Sequence, residues 1–221
     1  MSRVIGILWA VLAALPLAAP AASPAPGAAM PVILVFGDSI SAGYGIHVEQ
    51  GWVNLLARKA EQEGYGFRVV NASVSGETTA GGLARLPHVL DVQRPAVLVL
   101  ELGGNDGLRS LPLESTRENL DRMITLAQQR GIGVLLVGVR LPPNYGERYT
   151  VGFQQMYATL ARTHRTASVP LLLDGVDLHP ELMQGDHIHP NEQGQPLLLA
   201  NVWPRLVPLL RARHTGGASH G

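Results

Sequence analysis

Four short stretches of the chain carry residues that could do chemistry together. Residues 37–41 read GDSIS, 75–78 SGET, 103–106 GGND and 186–190 DHIHP. Ser39 follows the apolar run VILVF (32–36), where a strand should give way to a helix. A serine there can cap the helix, or it can attack a carbonyl if a base takes its proton. Position suits both tasks, so the choice rests on whether a base, an acid and an oxyanion site exist elsewhere.

Eight histidines are available as the base. His88 follows Pro87 in a helical stretch and reads as a surface residue, while His214 and His220 fall near the chain end. Asp186 and His189 are three residues apart, so the carboxylate can reach the imidazole within one turn. Such a carboxylate fixes the ring tautomer and stabilises the imidazolium that forms when the ring accepts a serine proton. Pro190 suits the first turn of a final helix, which would hold His189 at the cleft entrance. Two rival readings stand beside this one. Asp186, His187 and His189, with Asp38 or Asp106, could form a metal site, which needs three or four converging ligands. The segment could also be a polar loop that merely caps a helix.

The elements that must position these residues alternate. Strand patterns at 32–36, 67–73, 96–102, 132–139 and 169–173 are separated by helical spacing at 52–60, 78–93, 115–130 and 149–165. A last helix is expected from Pro190 to about Arg211, bent or shortened by Pro196, Pro204 and Pro208. Five strands alternating with helices imply an α/β fold, a three-layer α/β/α sandwich around a five-stranded parallel sheet. In such sheets ligands gather at the carboxyl ends of the strands. GDSIS, SGET and GGND each follow a strand, so three loops with small residues and free helix-start amides should face one cleft.

Composition limits the partners. The chain has 221 residues with 17 basic and 17 acidic side chains, no cysteine and 5% aromatics. One domain with a full core is expected, and no charge imbalance favours nucleic acid. Met1-Ser2-Arg3, an apolar run from Val4 to Leu15 and Ala19-Pro20-Ala21 read as a secretory signal peptide over 1–21. The run is shorter than the ~20 residues of a membrane span and is interrupted by Pro16, so no stable membrane insertion is expected after cleavage. The domain plan is then signal 1–21, an Ala/Pro-rich linker 22–30, a catalytic domain 31–212 and a flexible tail 213–221. The compartment is periplasmic or extracellular, and without cysteine its stability cannot come from disulfides.

GDSI, SGET, GGND and DHIHP resemble the four main motifs of the SGNH (GDSL-type) hydrolases, in order and across nearly all of the mature chain. NASVSGETTAGGLARLP, LELGGNDGLR and RLPPNYGERY are similar to the bacterial periplasmic branch of thioesterases, arylesterases and lysophospholipases. Ile40 stands where the family has leucine, a conservative change behind the serine. The resemblance implies a flavodoxin-like SGNH fold in which Ser39 is the nucleophile, His189 the base and Asp186 its orienting acid. The oxyanion hole would be the amides of Ser39 and Gly76 with the side-chain amide of Asn105. No metal or cofactor is implied, and a monomer is expected. The substrate class would be carboxylic esters and thioesters: aryl esters, acyl-CoA-type thioesters and lysophospholipids.

Five further residues are candidates for substrate binding: Asp38 beside the serine, Leu108 and Leu111 after GGND, and Pro143 and Tyr145 after the fourth strand. The leucines could line an acyl channel or simply close the core. Rival functions are a carbohydrate O-acetylesterase, disfavoured by few stacking aromatics, and a non-catalytic lipid- or glycan-binding module.

Overall fold

In the computed structural model, which describes residues 30–216, the predicted alternation forms one parallel sheet. The expected signal, all but the last residue of the linker, and residues 217–221 lie outside the described residues. The strands are β1 (Val32–Gly37), β2 (Arg68–Asn71), β3 (Val97–Glu101), β4 (Gly133–Val137) and β5 (Ala167–Val169). The helices are α1 (Ser39–Ala42), α2 (Trp52–Gln62), α3 (Thr79–Gln93), α4 (Gly104–Leu108), α5 (Leu113–Gln129), α6 (Glu147–Thr163) and α7 (Gln195–Gly216). The order across the sheet is β2-β1-β3-β4-β5, the flavodoxin-like arrangement.

Strand periodicity divides the core into two layers. Val32, Leu34 and Phe36 of β1 pack with α3, α5 and α6, while Ile33 and Val35 face α2 and α7. β1, β3 and β4 are buried at every position, as central strands covered on both faces require. Leu198, Val202, Leu206 and Leu210 recur every fourth residue along α7 and are fully buried. That stripe carries the helix through Pro204 and Pro208 without the expected shortening. Pro196 sits at its second position, where a missing N–H costs little.

Three boundaries differ from expectation. β5 ends at Val169, because Pro170 has no N–H to continue the ladder; Leu172 and Leu173 are buried but lie beyond the strand. α7 begins at Gln195 and not at Pro190, which forms an antiparallel bridge with Met183. At its other end α7 runs to Gly216, into the segment expected as tail.

A buried polar tie fastens the loops after β2 and β3. The Asp106 carboxylate, 2% exposed, accepts from the Thr79 amide at 2.8 Å and the Thr79 hydroxyl at 2.5 Å. It thereby anchors the start of α3 to α4. Asp106→Ala should leave the Thr79 amide unpaired in the interior and lower unfolding free energy by about 1–3 kcal/mol. Urea unfolding measures this, and an unchanged midpoint would show that the tie contributes nothing.

Candidate active site

The loop after β1 turns sharply. Gly37 closes the strand where a Cβ would lie 2.5 Å from Glu101 Oε2 and 2.9 Å from the Glu101 carbonyl, so only glycine fits beside β3. Asp38 then caps α1, its Oδ1 accepting from the Ile40 amide at 3.1 Å. Capping is therefore done by Asp38, and the Ser39 hydroxyl is free for other partners. It lies 2.8 Å from His189 Nε2.

His189 reaches Ser39 across 150 residues of chain because its loop is clipped down at several points. Gln184 donates from its side chain to the carbonyls of Tyr44 and Pro190, and its amide donates to the His189 carbonyl. Asp186 Oδ2 stands 2.6 Å from His189 Nδ1, while Asp186 Oδ1 accepts the amides of Ile188 and His189 at 3.0 Å each. Burial works to raise the Asp186 pKa, but the His189 ring and these two amides outweigh it and hold the carboxyl at about 2. The group is ionised at every working pH, so Nδ1 carries the ring proton and Nε2 is left to accept one from Ser39. The Tyr44 ring, 54% exposed, lies over the imidazole with centroids 4.7 Å apart.

Gly76 and Asn105 come to the same place from the loops after β2 and β3. Both line, with Ser39 and His189, a cavity of about 630 Å³. Gly76 has φ 78°, a conformation that disfavours any side chain. Among the described residues no acceptor takes up the amides of Ser39 or Gly76, so both are free to donate toward the cavity. Asn105 Nδ2 donates to Asp38 Oδ2 at 3.2 Å. Three unspent N–H donors beside an activated hydroxyl make an arrangement able to stabilise a developing oxyanion.

The substrate-binding candidates divide. Leu108 lines the cavity with Val139, Leu141, Pro142, Leu173 and Met183. Leu111 does not: the chain turns at Ser110 (φ 51°) and the Leu111 carbonyl accepts from Tyr149 Oη at 2.8 Å. Tyr145 is also absent from the cavity wall, its hydroxyl donating to the Leu108 carbonyl at 2.9 Å. The backbone of Pro143 lies in a short 3-10 turn, Pro143–Tyr145, and its side chain lies outside the described residues. Asp38 borders the cavity but is only 2% exposed, so it sits beneath the site and is not on its open surface. Among the described residues no three His, Asp or Glu side chains are grouped to hold a metal ion; Asp106 is bound to Thr79, and Asp186 and His189 bind each other.

Sequence reasoning passed over Glu101, Tyr44 and the Arg140–Asp177 pair. Glu101, fully buried, accepts the Ser41 hydroxyl at 2.7 Å and the Asp38 amide at 3.3 Å. Burial pushes its carboxyl well above the usual range, and the Asp38 charge adds to this; burial likewise raises Asp38, to about 6. A lone charge ending the apolar run AVLVLEL was the available signal. Arg140, pairing with Asp177 through Nε at 2.9 Å on the cavity wall, likewise ends an aliphatic run. Tyr44 carries no such mark.

Residues 35–197 match the model of the GDSL-like Lipase/Acylhydrolase family. The chain is 52% identical over 183 residues to Esterase TesA of Pseudomonas aeruginosa, covering 83% of this chain and 91% of that protein. It is 39% identical over 183 residues to Thioesterase 1/protease 1/lysophospholipase L1 of Escherichia coli K12, covering 83% and 86% respectively. A crystal structure of TesA superposes with a TM-score of 0.79 at 52% identity, covering 80% of this chain and 99% of that one. The family match runs from within β1 into the first turn of α7 and so takes in every loop that contributes to the cavity. The chain is accordingly a hydrolase and belongs to the GDSL-like lipase/acylhydrolase family.

Proposed function

We propose that the enzyme hydrolyses carboxylic esters and thioesters through a covalent acyl-enzyme on Ser39. The observation that carries this reading is the continuous chain from Asp186 through His189 to the Ser39 hydroxyl, with links of 2.6 and 2.8 Å. Ser39 Oγ attacks the acyl carbonyl while His189 Nε2 takes its proton. The tetrahedral oxyanion lies against the amides of Ser39 and Gly76 and the Asn105 Nδ2. The imidazolium, facing ionised Asp186, then protonates the leaving oxygen or sulfur. Water, deprotonated by the same ring, releases the acid and restores the hydroxyl.

The walls support an apolar acyl or aryl group. Leu108, Val139, Leu141, Leu173 and Met183 form an apolar stretch of a wall that also carries Arg140, Thr150, Gln154 and Asp177, and that stretch favours medium or long acyl chains over acetyl groups. Aryl esters, acyl-CoA-type thioesters and lysophospholipids are the proposed substrates; the Escherichia coli relative is a thioesterase and lysophospholipase by name. The signal-like first 21 residues support a periplasmic or secreted enzyme, and a monomer is the proposed state. Among the described residues no helix is long and apolar enough to cross a membrane.

Ser39→Ala should lower turnover of an aryl ester by a factor on the order of 10⁶ while the circular dichroism spectrum stays native. Near-normal turnover would remove Ser39 as the nucleophile. The wild type should also label with a serine-reactive fluorophosphonate, whereas a binding module that had kept only the fold would not. Asn105→Ala should reduce kcat by about 10²–10³ with little change in KM, the signature of a lost transition-state donor. In a p-nitrophenyl ester series from acetate to decanoate, kcat/KM should peak beyond acetate. A clear maximum at acetate would contradict the acyl-pocket reading.

A further inference from the structure

A side-chain amide has two ends of nearly the same shape and opposite polarity. Turned one way, Asn105 would offer an N–H to the oxygen that becomes negative during attack. Turned the other way, it would offer a carbonyl and repel that oxygen. The reaction therefore needs something that fixes which end faces Ser39. Among the described residues the charged side chain bonded to this amide is Asp38, at 3.2 Å from Nδ2.

We propose that Asp38 is a positioning residue: its carboxylate holds Asn105 with the N–H end, and not the carbonyl, directed toward the oxygen that develops at Ser39. This rests on the reading of Asn105 as an oxyanion donor. An ionised carboxylate only accepts hydrogen bonds, so the flipped amide would place Oδ1 against Asp38 Oδ2, two acceptors facing with no proton between them. One N–H of the Nδ2 group is held by Asp38, and the other is left for substrate.

Asp38 is itself locked. Its Oδ1 accepts the Ile40 amide, its own amide points to Glu101 Oε2, and its side chain is 2% exposed. Gly104 leaves the space that this meeting requires, because a Cβ there would come within 3.1 Å of Asp38 Oδ2. Burial raises the Asp38 pKa to about 6, which still leaves it ionised at neutral pH. Burial, with the Asp38 charge beside it, also pushes the Glu101 carboxyl well above its usual range. A substrate-binding role fits this placement poorly, since both carboxylate oxygens are already engaged by protein donors.

Two substitutions separate positioning from support of the fold. Asp38→Asn puts an NH2 in place of one carboxylate oxygen, so it cannot accept from the Ile40 amide at one end and the Asn105 amide at the other. Asp38→Ser can still cap α1 but is too short to reach Asn105. Steady-state kinetics on one aryl ester should show kcat lowered about 10- to 100-fold in both, less than the roughly 10²–10³ for an oxyanion donor removed outright. KM should stay within about twofold, since the interaction acts only in the transition state. Combined with Asn105→Ala, either change should add no further loss, because Asp38 acts through that amide. Multiplying losses in the double variants, or wild-type kcat in folded Asp38→Asn and Asp38→Ser, would overturn the positioning role and leave the Asn105 assignment standing. Wild-type kcat in Asn105→Ala alone would instead overturn the oxyanion reading, and the Asp38 proposal with it. If Asp38→Asn does not fold, Asp38→Ser decides the matter.

Discussion

The parallel pairing of β1 with β3 sets Gly37 opposite Glu101, and the site depends on that register. The strand order reverses direction at β1, with β2 on one side and β3 on the other, so the loops leaving β1 and β3 diverge and open a crevice. Ser39 comes from one loop, Asn105 from its neighbour and Gly76 from the loop beyond β2. Side chains point to alternate faces along a strand, so a slip of one residue would turn Phe36 and Leu100 out of their layer and separate Ser39 from Asn105. The buried hydrophobic layers on both faces resist such a slip. The same packing that stabilises the sheet therefore positions the chemistry.

Two carboxylates near Ser39 are driven in opposite directions by their surroundings. Asp186 lies on an exposed loop and is held down to about 2 by the imidazole and two backbone amides. Asp38 lies in the interior, where loss of water raises it to about 6 despite the donors around it. Glu101, also in the interior, is likewise raised well above the usual carboxylate range by burial. Water access and donor count, not residue type, separate a carboxylate suited to stabilising an imidazolium from one suited to orienting a neutral amide.

The sheet and the positions of the four polar loops were legible because each signal is local. An apolar run followed by glycine, a polar residue and a helical pattern reads as a strand end whatever surrounds it. The misses come from contacts the chain makes with itself at a distance. Pro170 ends β5 early because a ladder needs its missing N–H, and Pro190 is drawn into a bridge with Met183 and not into α7. Leu111 and Tyr145 sit on the expected loops, yet the turn at Ser110 and two tyrosine-to-carbonyl bonds decide which way they face. Glu101 looked like one more strand residue, since its meaning depends on Asp38, 63 positions away.

The site is built in two halves of different character. Ser39, Gly76 and Asn105 hang from the central strands and their neighbour β2, and their supports, Asp38, Glu101 and Asp106, are buried. Asp186 and His189 sit on a loop whose residues 185–188 are exposed, fixed by Gln184, by the bridge at Pro190 and by Gln195, which bonds both the Pro190 carbonyl and the Trp52 amide. The half proposed to complement a short-lived charge is thus the one with buried supports, which suits preorganised donors. The half proposed to shuttle protons touches solvent, where a leaving group could depart and water enter. The 2.8 Å contact between His189 and Ser39 joins the two directly, and Gln184 and the His189 ring also meet Tyr44 in the loop that follows Ser39.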